Sequence, residues 1–161
     1  MKRFVYQQIL DWKNSPTRKP LVLNGARQVG KTWLLKEFAQ KEYAKMAYVV
    51  CRKNPVVKEI FKVDFNMDRI LRALRALTGV DITPGDTLIV LDEIQDVPEA
   101  LEALKYFRED APDYHVAVAG SLLGLSMHEG TSYPVGQVNT INIYPMNFEE
   151  FLLAKGEEQL Q

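Results

Sequence analysis

An α/β fold, a parallel sheet with helices on both faces, is predicted for this chain by three observations. Short apolar, β-rich runs (PLVLN, AYVV, TLIVLDE, HVAVAGS) alternate with segments of helical spacing, the order that builds parallel sheets. The first run leads into a loop, GARQVGKT at 25–32, that opens one of those helical segments. The 161 residues, 47% of them hydrophobic, suit one globular domain with a sizeable core.

The elements follow in order. Residues 3–13 read as a short amphipathic helix with Phe4, Ile9 and Trp12 on its apolar side. KNSPTRKP is a turn-rich linker, and Leu21–Leu23 form the first strand. The helix after the loop runs to about Tyr43, with Leu34, Leu35 and Phe38 at helical spacing. Ala47–Val50 form a second strand. An irregular stretch broken by Asn54-Pro55 precedes a short helical segment, VVKEIF.

Residues 66–78 form a helix between Asn66 as N-cap and Gly79 past its end. Ile70, Leu71, Leu74 and Leu77 make its buried stripe. Arg69, Arg72 and Arg75 on the other side are read as a solvated face rather than a nucleic-acid contact. After the turn TPGD, TLIVLDE is a third strand. PEALEALKYFRED is a helix with Pro98 in its first turn, where proline is tolerated. Val116–Ala119 form a fourth strand, LLGLSMHEGTSYP a loop, and Val138–Ile143 a fifth strand. Asn147 caps a last helix, FEEFLLA.

The loop carries the first chemical signal. Gly25, Ala26, Arg27, Gln28, Val29, Gly30, Lys31 and Thr32 match the phosphate-binding pattern G-x-x-x-x-G-K-[ST]. Gly25 and Gly30 allow backbone turns closed to residues with a Cβ. Successive N–H groups can then point into one concavity and cradle an anion. The helix that follows adds the partial positive charge of its N-terminus. Lys31 reaches the β- and γ-phosphates, and the Thr32 hydroxyl can ligate Mg²⁺.

The second signal is LIVLDE, an apolar strand that ends in two acids. Asp92 is expected behind the Mg²⁺ held by Thr32. Glu93, where the strand emerges, is expected to orient or deprotonate an attacking water. One candidate strand lies in sequence between the loop strand and this one, and another follows it and ends at Gly120-Ser121. If the later strand inserts between the other two, Ser121 touches the γ-phosphate or the water. Its other reading is an ordinary serine at a strand end.

Composition excludes several classes. Net charge is −1, from 20 basic and 21 acidic residues, so nucleic acid and anionic membranes are not indicated. Cys51 is the only cysteine, so no intrachain disulfide can form. No apolar run is long enough to span a membrane, and the N-terminal MKRFVYQQILDW lacks the core of a signal peptide. The expected setting is cytoplasmic. His115 and His128 form no metal pair, and His115, beside a buried strand, is read as structural.

GARQVGKT, VLDEIQDVPEALEALKYFRE, AGSLLG and PVGQVNTINIYPMNFEEFLLA together resemble the bacterial and archaeal AAA-family ATPases of the AAA_14 type, a branch of the AAA+ superfamily. The resemblance runs from about residue 2 to residue 155 and is most specific in Asp-Glu-Ile-Gln and in Tyr-Pro-Met-Asn-Phe-Glu-Glu-Phe. It implies a P-loop NTPase with a parallel five-stranded sheet in the order 5-1-4-3-2. It also implies Mg²⁺ and ATP as ligands and the roles above for Lys31, Thr32, Asp92, Glu93 and Ser121.

Two departures follow. Members commonly have a basic residue where this chain has Gln137, and glutamine cannot serve as a charged finger on a nucleotide. Family proteins also continue into a helical region and a C-terminal nuclease-like domain. Residues 1–161 are thus expected to be the ATPase core alone.

The reading is a Mg²⁺-dependent ATP-binding protein whose hydrolysis of ATP drives a conformational change. The alternative is a nucleotide-dependent regulatory module with little turnover. A small-molecule kinase is disfavoured by the lack of a clear acceptor lid, and a GTPase by the absence of Asn-Lys-x-Asp. Expected partners are ATP or ADP, an unidentified protein, and further copies of the chain, since relatives form rings. The base is expected to sit near Asp11, Trp12 or the SPTRK linker.

Overall fold

In the computed structural model, which describes residues 2–25, 30–121 and 136–143, five strands form a single parallel sheet. They are β1 (Leu21–Gly25), β2 (Lys45–Val50), β3 (Thr87–Asp92), β4 (His115–Gly120) and β5 (Asn139–Ile143). The spatial order is β2-β3-β4-β1-β5. This is the predicted 5-1-4-3-2 read from the other edge, with β4 inserted between β1 and β3. All strands point the same way, so their carboxyl ends form one rim.

Parallel neighbours need crossover connections, and among the described residues α2 (Lys31–Glu42), α3 (Pro55–Val63), α4 (Met67–Thr78) and α5 (Pro98–Asp110) supply them, while α1 (Lys2–Asn14) precedes β1. Strand side chains alternate between faces, which splits the core in two. Leu21, Leu23, Leu88, Val90, Ala117, Ala119 and Ile141 pack with α1 and α2 residues such as Ile9, Leu35 and Phe38. Val22, Ile89, Leu91, Val116 and Val118 pack with Val57, Ile70, Leu74, Leu104 and Phe107 of α3–α5. Each fully buried side chain of this size contributes about 1.5–3 kcal/mol.

The same alternation aims the rim. Asp92 shares its parity with Leu88 and Val90, so it faces α2.

Helix ends follow local chemistry. The Asn66 side chain accepts from the Arg69 N–H at 2.9 Å, and Gly79 ends α4 at φ 71 with its N–H on the Arg75 carbonyl. Asn54 and Pro55, read from sequence as a break, are instead the cap and first residue of α3. Asn54 Oδ1 accepts from the Val57 N–H at 3.3 Å, and proline fits the first helical position because its missing N–H is not needed there. The helix is accordingly longer than VVKEIF.

Two stripe assignments are corrected. Phe4 is 60% exposed and Val5 only 4%, because Val5, Ile9 and Trp12 keep i, i+4, i+7 spacing and Phe4 does not. In α4, Leu77 is 39% exposed and Met67 is buried. Met67, Ile70, Leu71 and Leu74 share one face, and Leu77 lies at its edge in the last turn.

The arginine face of α4 is neither a free basic stripe nor wholly solvated. Arg69 reaches Asp64 Oδ1 at 2.8 Å and the Ile60 carbonyl at 2.6 Å. Arg75 holds the Ile82 carbonyl at 2.8 Å and the Tyr114 hydroxyl at 3.1 Å. Arg72 alone is exposed. The predicted helix FEEFLLA, its cap Asn147, and His128 lie outside the described residues.

Candidate functional site

The carboxyl rim of the central strands gathers the predicted residues. Register pairs Asn24 with Gly120 and Val50 with Asp92, so the ends of β1, β4, β3 and β2 stand side by side. Gly30, at φ 82 and ψ 22, precedes α2 in the left-handed region. That conformation favours glycine and carries the chain into the helix. Gly25 is instead the last residue of β1. The freedom expected of both glycines is used, among the described residues, at Gly30. Ala26, Arg27, Gln28 and Val29 lie outside the described residues.

Lys31 opens α2, and its Nζ donates to the Gly25 carbonyl at 2.8 Å, across the mouth of the loop. Thr32 follows, and its hydroxyl donates to Asp92 Oδ2 at 2.6 Å. A helix N-terminus from one element and a strand end from another are thus joined by one short bond. A hydroxyl and a carboxylate at this separation are hard oxygen donors of the kind Mg²⁺ takes.

The Asp92 carboxylate is firmly held. Tyr48 of β2 also donates to Oδ2, at 2.5 Å, and the Glu93 N–H donates to Oδ1 at 2.9 Å. Burial first, then the bond to Asp92 and its charge, push the Tyr48 phenol well above its ordinary range, so it stays a donor. Lys36 Nζ lies 4.2 Å from the centre of the Tyr48 ring, a cation–π contact.

Glu93 adopts φ 55 and ψ 46, left-handed for a residue with a Cβ, and opens a 3₁₀ turn over Ile94–Asp96. Gln95 in that turn is buried, and its Nε2 donates to Glu93 Oε2 at 2.6 Å. Cys51, next to the rim, is raised to about 12 by burial and then by the charges of Asp92, Asp96 and Glu93. It remains a thiol and is no nucleophile.

The family model of the AAA domain, AAA_14, matches residues 17–152. The chain belongs to this AAA domain family. Its members share a nucleotide-binding fold, and solved structures agree with it in fold. Aeropyrum pernix Orc1 in complex with DNA has a TM-score of 0.54 at 17% identity, over 97% of this chain and 48% of that one. The ADP form of Aeropyrum pernix ORC2 has 0.52 at 18%, over 89% and 46%. A point variant of Thermotoga maritima RuvB has 0.53 at 16%, over 89% and 43%. The chain spans about half the length of these structures. No curated protein is similar enough to this chain to match it.

In this AAA domain, Thr32 and Asp92 meet in one hydrogen bond, and Lys31 and Glu93 are their chain neighbours. Ser121 follows β4 at the same rim and is half-buried. Gln137 does not join them. It precedes β5, whose first residue pairs with Leu21, the start of β1. The rim lies at the other end of β1, about 13 Å away at the usual rise per residue. Gln137 therefore cannot act on a nucleotide in its own chain's loop.

Trp12 is corrected likewise. Its Nε1 donates to the Lys19 carbonyl at 2.6 Å, and its ring meets His115 edge-on, both at the amino ends of the strands. With Asp11 and Ser15 it lines a cavity of about 330 Å³ beside Leu21, away from the phosphate loop. His115 is structural, as read: it is buried and shares a 2.6 Å hydrogen bond with the Tyr43 hydroxyl.

Sequence reasoning missed Tyr48 and Gln95. Tyr48 sits inside an apolar run that looks like strand and nothing more. Gln95 lies in the quoted Asp-Glu-Ile-Gln motif, and its distance of two residues from Glu93 was the available signal.

Proposed function

We propose that this AAA domain binds ATP with Mg²⁺ and transfers the γ-phosphoryl group to water. The bond between Thr32 and Asp92 carries the reading, because it joins the phosphate loop's helix to the acid-tipped strand. Backbone N–H groups of Gly25–Thr32, including Ala26, Arg27, Gln28 and Val29, cradle the phosphates. Lys31 leaves the Gly25 carbonyl for the β- and γ-phosphates. Thr32 ligates the metal, with Asp92 behind it. When bound, Mg²⁺ neutralises charge on the phosphate oxygens. Glu93 orients an attacking water and accepts its proton. Ser121, at the end of the inserted strand, contacts the γ-phosphate or that water.

Loss of the γ-phosphate removes the contacts of Lys31 and Ser121, and so couples turnover to movement of the rim. Positioning and charge stabilisation, rather than covalent chemistry, supply the catalysis. The net charge of −1 and the tying of Arg69 and Arg75 on α4 favour a protein partner or further copies of the chain over nucleic acid. A buried free thiol suits the reducing cytoplasm. No helix among the described residues is long and apolar enough to cross a membrane.

A second reading is nucleotide binding with little turnover, in which any basic group that completes the site comes from another chain, since Gln137 is uncharged and lies at the amino ends of the strands. Calorimetry with Mg²⁺-ATP, phosphate release from the same sample and a GTP control separate the two. Binding with release supports the ATPase. Binding without release supports the switch module. No binding by folded protein overturns both.

A further inference from the structure

Glu93 departs from ordinary backbone geometry, and Gln95 from ordinary burial. A left-handed residue with a Cβ costs about 1 kcal/mol and persists where the surroundings require it. At Glu93 it turns the chain off β3 into the 3₁₀ turn, and the turn brings the Gln95 amide back onto the Glu93 carboxylate at 2.6 Å. Gln95 is 7% exposed, between Ile94 and the equally buried Val97. Its Oε1 is buried without a hydrogen-bond partner among the described residues. A buried amide with an unmatched oxygen is a poor choice for stability alone, since an apolar residue of similar size carries no such penalty.

We propose that Gln95 is the positioning residue for the Glu93 carboxylate. This rests on the assignment of Glu93 as the group that takes the water proton. A glutamate side chain has several free torsions, and a carboxylate that rotates aims its lone pairs at random. The Gln95 N–H fixes Oε2 and leaves Oε1 of Glu93 for the water. The amide does so without a positive charge, so the carboxylate is not neutralised by a salt bridge. The core holds Gln95 in turn, through its neighbours Ile94 and Val97. Tight positioning of such groups governs how far they accelerate a reaction.

The test is Gln95→Met, of similar length and without polar atoms, measured in the full chain. Phosphate release at saturating Mg²⁺-ATP should fall roughly tenfold or more, the scale of one lost hydrogen bond to a charged group. Calorimetric affinity for Mg²⁺-ATP should stay unchanged, and the thermal midpoint should change little, because removing the unmatched oxygen offsets the lost bond to Glu93. In a Glu93→Gln background the same change should cost nothing further, because its route runs through Glu93. Gln95→Leu, which also lacks the donor and adds no charge beside Glu93, serves if the methionine variant does not fold. Wild-type turnover in a folded variant overturns the proposal and leaves the ATPase reading intact. An equal loss in both backgrounds overturns it too, as a merely structural effect. If the wild type binds ATP and releases no phosphate, the ATPase reading falls and this proposal with it.

Discussion

Tyr48→Phe removes a single oxygen from the rim and makes a sharp prediction. The lost bond is 2.5 Å long and ends on a carboxylate. Hydrogen bonds to charged groups contribute about 1.5–3 kcal/mol. Two features lower the expected loss. Tyr48 is only half-buried, and Asp92 keeps the Thr32 hydroxyl and the Glu93 N–H, so no charge is left bare. The ring stays under Lys36 and keeps its packing. The net loss should be about 1–2 kcal/mol. At this chain length that lowers the thermal midpoint by about 2–8 °C. Urea unfolding should show a lower midpoint with an unchanged slope. An unchanged midpoint would mean that the phenol contributes nothing to the Asp92 network. A loss above about 4 kcal/mol would mean that the remaining donors do not hold Asp92 as described.

Other perturbations have separate outcomes. Lys31→Ala should abolish nucleotide binding by calorimetry while circular dichroism stays native, because its charge faces the loop and not the core. Asp92→Ala strands the Thr32 and Tyr48 hydroxyls and the Glu93 N–H. It should cost about 3 kcal/mol or more in urea, beyond the effect of Tyr48→Phe. Acid should destabilise the fold through His115, whose pKa is lowered to about 4 by burial, then by the Arg18 and Lys13 charges. An unfolded histidine takes its proton near pH 6.5, so between about 6.5 and 4 the unfolded state binds the extra proton. Stability should therefore fall as pH drops through that window, by roughly 3 kcal/mol at most. His115→Gln should flatten that part of the urea-midpoint profile.

The sheet and the site differ in how readily the sequence reveals them. Strands buried on both faces, such as Leu88–Leu91, announce themselves as apolar runs. The loop pattern fixes its neighbours through backbone geometry, so Gly30, Lys31 and Thr32 could be placed without coordinates. Asp92 and Glu93 followed from their position at a strand end. Tyr48 could not be found this way. It reaches Asp92 across β2 and β3, and only strand order and parity bring them together. Gln95 was hidden by the 3₁₀ turn, which rests on the left-handed backbone of Glu93 and has no sequence signature of its own. Phe4 and Leu77 misled because an apolar residue beside a helical stripe looks like part of it. Gln137 and Trp12 looked relevant to a nucleotide until the parallel register put them at the amino ends of the strands.

Single-turnover phosphate release tests the central claim most directly, with wild type and Glu93→Gln compared at saturating Mg²⁺-ATP and equal nucleotide occupancy. If the acid-tipped strand activates water, wild type should release phosphate, and Glu93→Gln should bind ATP as tightly yet release it at least tenfold more slowly. Equal release rates from the two proteins would contradict the account.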